Sequence, residues 1–193
     1  MATHNVVIKK RTASFNVDSL NRTAVFTEDV DNGCVAVLEA YSATSDEGIV
    51  WTAKQATTTD KGLWMATSPE VVITRALDAD EAAGMPAIDM KGVINDPRAF
   101  YNVKGYMVDM TYLNVGDIIE MTCAGIEKSS GNNAAYDGTD DYLVPTAGFK
   151  LKGSATAGSG MALRKIGTSK LHIGNAALVK NGVTTYKFVV EAN

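Results

Sequence analysis

The sequence predicts an all-β protein: an antiparallel β-sandwich or barrel-like domain with long loops and at most one or two short helices. Val, Ile and Thr supply 48 of its 193 residues, against 10 Leu, and such residues suit a pleated, half-buried surface. Short apolar runs are separated at close intervals by turn-forming residues, the pattern of a sandwich or barrel. Only one stretch, near Asp78 to Gly84, reads as helix. Ala and acidic residues cluster there before Gly84 and Pro86, enough for one or two turns.

Taken in chain order, Val6–Ile8 and Ser14–Val17 are weak strands. Ala24 to Thr27 reads as the first arm of a hairpin whose turn is Asp31-Asn32-Gly33. Asn-Gly suits a tight hairpin because both residues tolerate positive φ. The second arm is the nearly continuous apolar run from Cys34 to Tyr41. Weaker strands follow at Ile49–Lys54 and Val71–Thr74. Tyr106, Val108, Met110 and Tyr112 then alternate with Met107, Asp109 and Thr111, the mark of a half-buried strand. The turn Asn114-Val115-Gly116-Asp117 leads into Ile118 to Cys123, which predicts a second antiparallel pair. Tyr142–Val144 and Lys170–Ile173 are weaker. Ala177 to Val179, the turn Lys180-Asn181-Gly182, and a strand with Thr184, Tyr186, Phe188 and Val190 on one face predict a third pair.

Two stretches read as long loops. Lys128 to Asp141 is built from turn formers, and Gly153 to Gly160 has no side chain large enough to pack. Loops of such length in a compact domain are usually functional or mobile. No internal repeat of fixed period is present. The chain divides into an N-terminal basic segment, residues 1–22, read as an extended arm, and a β-rich domain over 23–193. A weak further boundary falls near 84–98, where Gly84, Pro86 and Pro97 lie.

A chain of this length buries about 70% of the surface its unfolded form exposes, so folding needs no metal or disulfide. The hydrophobic share is 46% and the charged share 21%, ordinary for a globular protein. A net charge of −4 and a pI near 5.2 argue against nucleic-acid binding, which wants a basic face. No run approaches the ~20 apolar residues of a membrane helix. The opening Met-Ala-Thr-His-Asn-Val-Val-Ile-Lys-Lys-Arg places a three-residue apolar run before the basic residues, the reverse of a secretory signal. Synthesis and folding in a cytoplasm are therefore expected. Cys34 and Cys123, both in apolar surroundings, are expected to be buried free thiols.

Charge is uneven along the chain. Residues 1–27 hold Lys9, Lys10, Arg11 and Arg22 against Asp18 alone, a local balance of +3, and acidic residues follow from Glu28 to Glu47. A basic start on an acidic body suits a segment lying on an acidic neighbour. Ordinary solvated charges would look the same, since exposed pairs contribute little. Lys9, Lys10, Arg11 and Arg22 are the candidate contact residues.

No arrangement of residues suggests catalysis or a cofactor. His4, Cys34, Cys123 and His172 lack the close pairing that zinc sites use. His172 lies between Leu171 and Ile173 on a predicted strand, with no Gly-x-Ser-x-Gly elbow to support a nucleophile. Gly-Ser-Ala-Thr-Ala-Gly-Ser-Gly is not followed by the Gly-Lys-Ser/Thr of a phosphate loop. Asp137, Asp140 and Asp141, or Asp29 and Asp31, offer hard oxygens of the kind calcium wants, but without the spacing of a hand-type loop. A solvated loop explains them as well. Trp51 and Trp64 fit a core, an interface or a sugar-stacking platform.

Several runs carry a resemblance: the Met-Ala-Thr-His-Asn opening with its basic segment, Asp-Asn-Gly-Cys-Val-Ala-Val-Leu-Glu-Ala, and Ile-Val-Trp-Thr-Ala-Lys. Asn-Val-Gly-Asp-Ile-Ile-Glu-Met-Thr and the loops rich in Ala, Gly, Ser and Thr complete it. In these, over most of residues 5–190, the chain resembles the small structural proteins of tailed-bacteriophage virions, and within them a capsid decoration (cement) protein. The resemblance implies a β-rich, non-catalytic subunit without cofactor or small-molecule substrate. It also implies a homo-oligomer, favouring a trimer, seated on the major capsid protein at the virion exterior after synthesis in the bacterial cytoplasm. A phage tail-tube or other tail protein, and a carbohydrate-binding or adhesive module, remain alternatives.

Overall fold

A computed structural model describes residues 3–13, 17–41, 50–70, 72–73, 93–94, 97–131, 134–171 and 182–193. Thirteen strands run through these residues, with two three-residue 3-10 turns at Asp18–Leu20 and Pro97–Ala99. The all-β prediction holds. The predicted helix at Asp78–Gly84, the arm at Ala177–Val179 and His172 lie outside the described residues.

Five strands close into a barrel: β2 (Asn21–Val25), β3 (Val35–Tyr41), β4 (Val50–Gln55), β5 (Trp64–Ala66) and β8 (Met107–Tyr112). Their order is β2-β4-β3-β5-β8, and β8 returns to β2. The β2·β4 pair is parallel and the others antiparallel. Six strands form an open antiparallel sheet in the order β1-β9-β13-β12-β10-β11. These are β1 (Val7–Arg11), β9 (Ile118–Met121), β10 (Tyr142–Pro145), β11 (Leu151–Ser154), β12 (Ala162–Leu171) and β13 (Val183–Ala192). β6 (Val72–Ile73) and β7 (Val93–Ile94) make a two-stranded ribbon.

Small residues make so narrow a barrel possible. Its interior holds Ala24, Ala36, Ala53 and Ala66 beside Val108 and Met110, because few strands leave little space for inward side chains. Phe26 and Phe149 fill this core in an edge-to-face pair with ring centroids 4.9 Å apart. Phe149 belongs to the β10–β11 turn, so the sheet supplies part of the barrel's filling. That turn is held by backbone bonds from Val35 N to Phe149 O, 2.7 Å, and by the exchange between Ala56 and Gly148, 3.0 and 3.1 Å.

Alternation along the barrel strands builds the second core. Ala36 and Ala66 point into the barrel, while their neighbours Val35 and Met65 point outward onto the sheet. There they meet Ile119, Met121, Leu143, Leu163 and Phe188, all buried. Asn193 ties the two units from its side chain, accepting from Leu63 N at 2.9 Å and donating to Leu113 O at 2.9 Å.

Two predicted pairings are corrected. Ala24–Thr27 and Cys34–Tyr41 do not form a hairpin: β2 pairs with β4 and β8, and β3 with β4 and β5. Asn32 explains why. Buried in the turn, its amide donates to Ser68 O at 2.8 Å and Glu70 Oε1 at 3.1 Å and accepts from Ser68 N at 3.1 Å. Nor does β8 pair with β9, because the turn between them carries the chain from barrel to sheet. Asp117 fixes that change of direction by accepting from Asn114 N and Ala13 N, each at 2.8 Å.

The described parts of the two predicted loops lie outside strands, except for Gly153 and Ser154 at the end of β11, and both make specific contacts. In residues 128–131 and 134–141 the chain gathers around Asp140, which is buried and accepts from Ser129 N at 2.8 Å. Gly153 and Gly160 are sites of close packing. A Cβ on Gly153 would meet Asp140 Oδ2 at 2.2 Å, and one on Gly160 would meet the carbonyls of Thr58 and Asp60 at 2.8 Å. Here missing side chains allow chain segments to touch.

Candidate functional site

The four basic candidates fall on two different units. Lys9, Lys10 and Arg11 lie on β1, which among the described residues pairs with β9 alone and so forms an edge of the six-stranded sheet. Arg22 lies on β2 of the barrel. Its guanidinium donates to the carbonyls of Asp18 at 3.3 Å and Asn21 at 3.1 Å and sits 5.6 Å from the Trp64 ring centre. Residues 5–7 of the basic segment are buried, and Asn5 donates to Asn32 O at 2.9 Å.

The acidic candidates are engaged locally. Asp137 accepts from Thr139 N at 3.0 Å and Thr139 Oγ1 at 2.7 Å, and Lys128 Nζ lies 3.4 Å away. The Thr139 hydroxyl bond, before the other contacts, holds the Asp137 carboxyl down at about 2. Asp31 meets His4 Nδ1 at 2.7 Å, and the His4 ring stacks on Tyr101. Asp29 accepts from Lys104 N at 2.8 Å. Among the described residues, no group of three or more His, Cys, Asp or Glu is placed to hold a metal ion. Cys34 and Cys123 are buried free thiols. Burial first, then the charge of Asp31, pushes Cys34 up to about 12; burial also pushes Cys123 upward.

The feature best built for contact is one that the sequence reading did not single out. Between the Pro97–Ala99 turn and β8, Tyr101, Val103, Tyr106 and Met107 are 40%, 43%, 69% and 64% exposed. Four large apolar side chains are exposed within seven residues of chain, a local concentration, whereas lone exposed apolar residues are commonplace. The backbone beneath them is fixed. Val30 and Asn102 exchange bonds of 2.9 and 2.8 Å, Gly105 N reaches Phe26 O at 3.1 Å, and Tyr106 N closes a turn on Val103 O at 3.2 Å. Asn102, buried between the exposed residues, donates to Val30 O at 3.2 Å and Asn32 Oδ1 at 3.1 Å. The stretch is therefore a supported platform. Such support lowers the ordering cost of association, and Tyr and Met are enriched at protein interfaces. Alternation had identified the strand, but it cannot tell a side chain facing a core from one facing a partner.

No protein-family model, curated protein or solved structure matches the chain. No helix among the described residues is long and apolar enough to cross a membrane. The two Trp residues serve the barrel: both pack against its core, Trp64 edge-to-face with Tyr112 at 5.4 Å and Trp51 tilted against Tyr41 at 4.6 Å.

Proposed function

We propose that this chain is a non-enzymatic structural protein of a tailed-bacteriophage virion, which binds the outside of the capsid and braces it through protein–protein contacts. The platform of Tyr101, Val103, Tyr106 and Met107 is the observation that carries the binding role. The resemblance in the runs quoted above supports the choice of assembly. On this reading the partner is the major capsid protein, and the bound form is a homo-oligomer, favouring a trimer. A modest contact repeated over a shell gains strength through effective concentration, so a four-residue apolar platform is adequate for each subunit. Lys9, Lys10, Arg11 and Arg22 remain candidates for an electrostatic part of the contact.

Localisation of the chain in purified particles by electron microscopy tests the assembly: density on the capsid exterior is expected, and density confined to the tail refutes it. The contact is tested with Tyr106→Ala/Met107→Ala, both on exposed side chains. This double variant is expected to keep the wild-type melting temperature and lose occupancy on particles. Because β1 is part of the sheet, the basic residues are better tested by Lys9→Glu/Lys10→Glu than by deleting residues 1–22. Unchanged occupancy in that variant removes them from the contact.

A further inference from the structure

We propose a second binding site on the barrel, a groove that takes a neutral oligosaccharide. It does not depend on the virion reading and uses different residues from the exposed platform, sharing only Arg22 with the basic candidates. The groove has a volume of about 700 Å³ and is lined by residues of β2, β4 and β8, with Asp18 and Tyr41. That volume lies within the range of small-molecule sites, roughly 300–1,000 Å³.

The lining chemistry selects the ligand class. Tyr41 and Trp51 stand opposite each other in the β3·β4 register with rings 4.6 Å apart, and Tyr41 is 57% exposed. Trp51 packs on the barrel core and backs Tyr41, whose exposed ring offers an apolar face to the C–H side of a pyranose. Asp18 and Asp109 line the same groove, and among the described residues neither carboxylate makes a hydrogen bond or ion pair. Each therefore has acceptor capacity for sugar hydroxyls. Arg22 provides the complementary donors, because two carbonyl contacts through one nitrogen leave most of its five N–H groups available. Two carboxylates disfavour an anionic ligand, and the fixed guanidinium disfavours a cationic one. A neutral polyol satisfies both at once, with Tyr41 providing the apolar contact.

The test screens the full chain against an array of neutral oligosaccharides, hexose- and N-acetylhexosamine-based, with an oligolysine peptide as the cationic control. Array ligands that bind are then titrated in solution by calorimetry. At least one neutral oligosaccharide is expected to bind saturably, and Tyr41→Ala and Asp109→Asn each to weaken it about tenfold. The Tyr106→Ala/Met107→Ala variant is expected to bind the sugar as wild type does, which separates this site from the capsid contact. Both groove substitutions fall on surface positions, and an unchanged melting temperature excludes loss of fold as the cause. Failure of every array member to bind, preference for the oligolysine, or full affinity in both groove variants would each overturn the proposal.

Discussion

The barrel and the six-stranded sheet bury their apolar surface in opposite ways. The barrel closes on itself, so its strands have no free edge, but its narrow interior admits mainly Ala and must borrow Phe149 from the sheet. The sheet keeps two edges, β1 and β11, and buries larger side chains against the barrel's outer wall. Neither unit therefore completes its core alone. The sheet edges are handled separately. β11 is covered where Gly153 N reaches Glu127 O at 2.7 Å, whereas β1 carries Lys9, Lys10 and Arg11, and basic residues on an edge strand discourage pairing with another chain.

Removing the shared filling gives the largest expected effect. Phe149→Ala deletes a buried ring from the barrel core, and Phe→Ala at such sites costs about 3–5 kcal/mol. Both Trp residues lie on barrel strands, so Trp fluorescence follows the barrel, and far-UV circular dichroism follows both units. The urea midpoints by the two probes are expected to fall together. If the fluorescence midpoint alone moves, the barrel unfolds as an independent unit and the mutual dependence is wrong.

A smaller effect separates packed glycines from free ones. On Gly160 a Cβ would lie 2.8 Å from two backbone carbonyl oxygens, next to the Met161 N to Asp60 O bond that joins the sheet to the barrel. Gly160→Ala is expected to cost about 1–3 kcal/mol, the range for overpacking. Gly167, at the β12 bulge that skips Ile166, has nothing within 4 Å of a Cβ. Gly167→Ala should leave the melting temperature unchanged or raise it slightly. Equal losses in the two variants would mean that backbone freedom, and not contact between the units, governs these positions.

These glycines also mark where the sequence stops being informative. Strand positions were legible wherever alternation and turns are local, as at Cys34–Tyr41, Tyr106–Tyr112 and Ile118–Cys123, which overlap β3, β8 and β9. Pairing was not. Asn32-Gly33 has the composition of a hairpin turn, yet Asn32 bonds to Ser68 and Glu70, far away in sequence, and no local pattern encodes those partners. β12 was missed except at its end because its alternation is weak in apolar residues and its place is set by β13. The exposed platform and the groove depend on which side chains the fold leaves uncovered. Tyr41 and Trp51 both lie in runs read as strands, but one is largely exposed and the other partly buried.

The two thiols compare the units without any substitution, since Cys34 lies in the barrel core and Cys123 in the sheet core. Both are expected to resist alkylation in the folded protein and to react at one common rate set by global opening. Faster reaction at Cys34 would show that the barrel opens first. Their pKa shifts also predict alkaline loss of stability. Cys34 moves from 9.0 to about 12 on folding, so the unfolded chain gives up its proton first. The stability this contributes is intact below pH 9 and declines as pH rises toward 12.

The smallest expected effect concerns Asp137 and Thr139, which follow Tyr136 in the 128–141 segment: that ring packs in the sheet core against Tyr186 and Phe188, while the Asp137–Thr139 contacts lie at the surface. Asp137 is held at about 2, below its ordinary 3.8, chiefly by the Thr139 hydroxyl. A lowered carboxylate pKa means that the unfolded chain takes up the proton first on acidification. The contribution is present above the unfolded value near 3.8 and disappears as pH falls through 2. Because the carboxylate is exposed, solvent screening keeps the effect slight. Thr139→Val removes the hydroxyl bond and should return the Asp137 titration, followed by NMR, toward its ordinary range. The midpoint of acid unfolding should hardly move, because the cores that set global stability contain neither residue. A large shift of that midpoint would mean that the segment helps to hold the sheet against the barrel, giving the polar loop a share in the connection assigned here to Phe149 and Asn193.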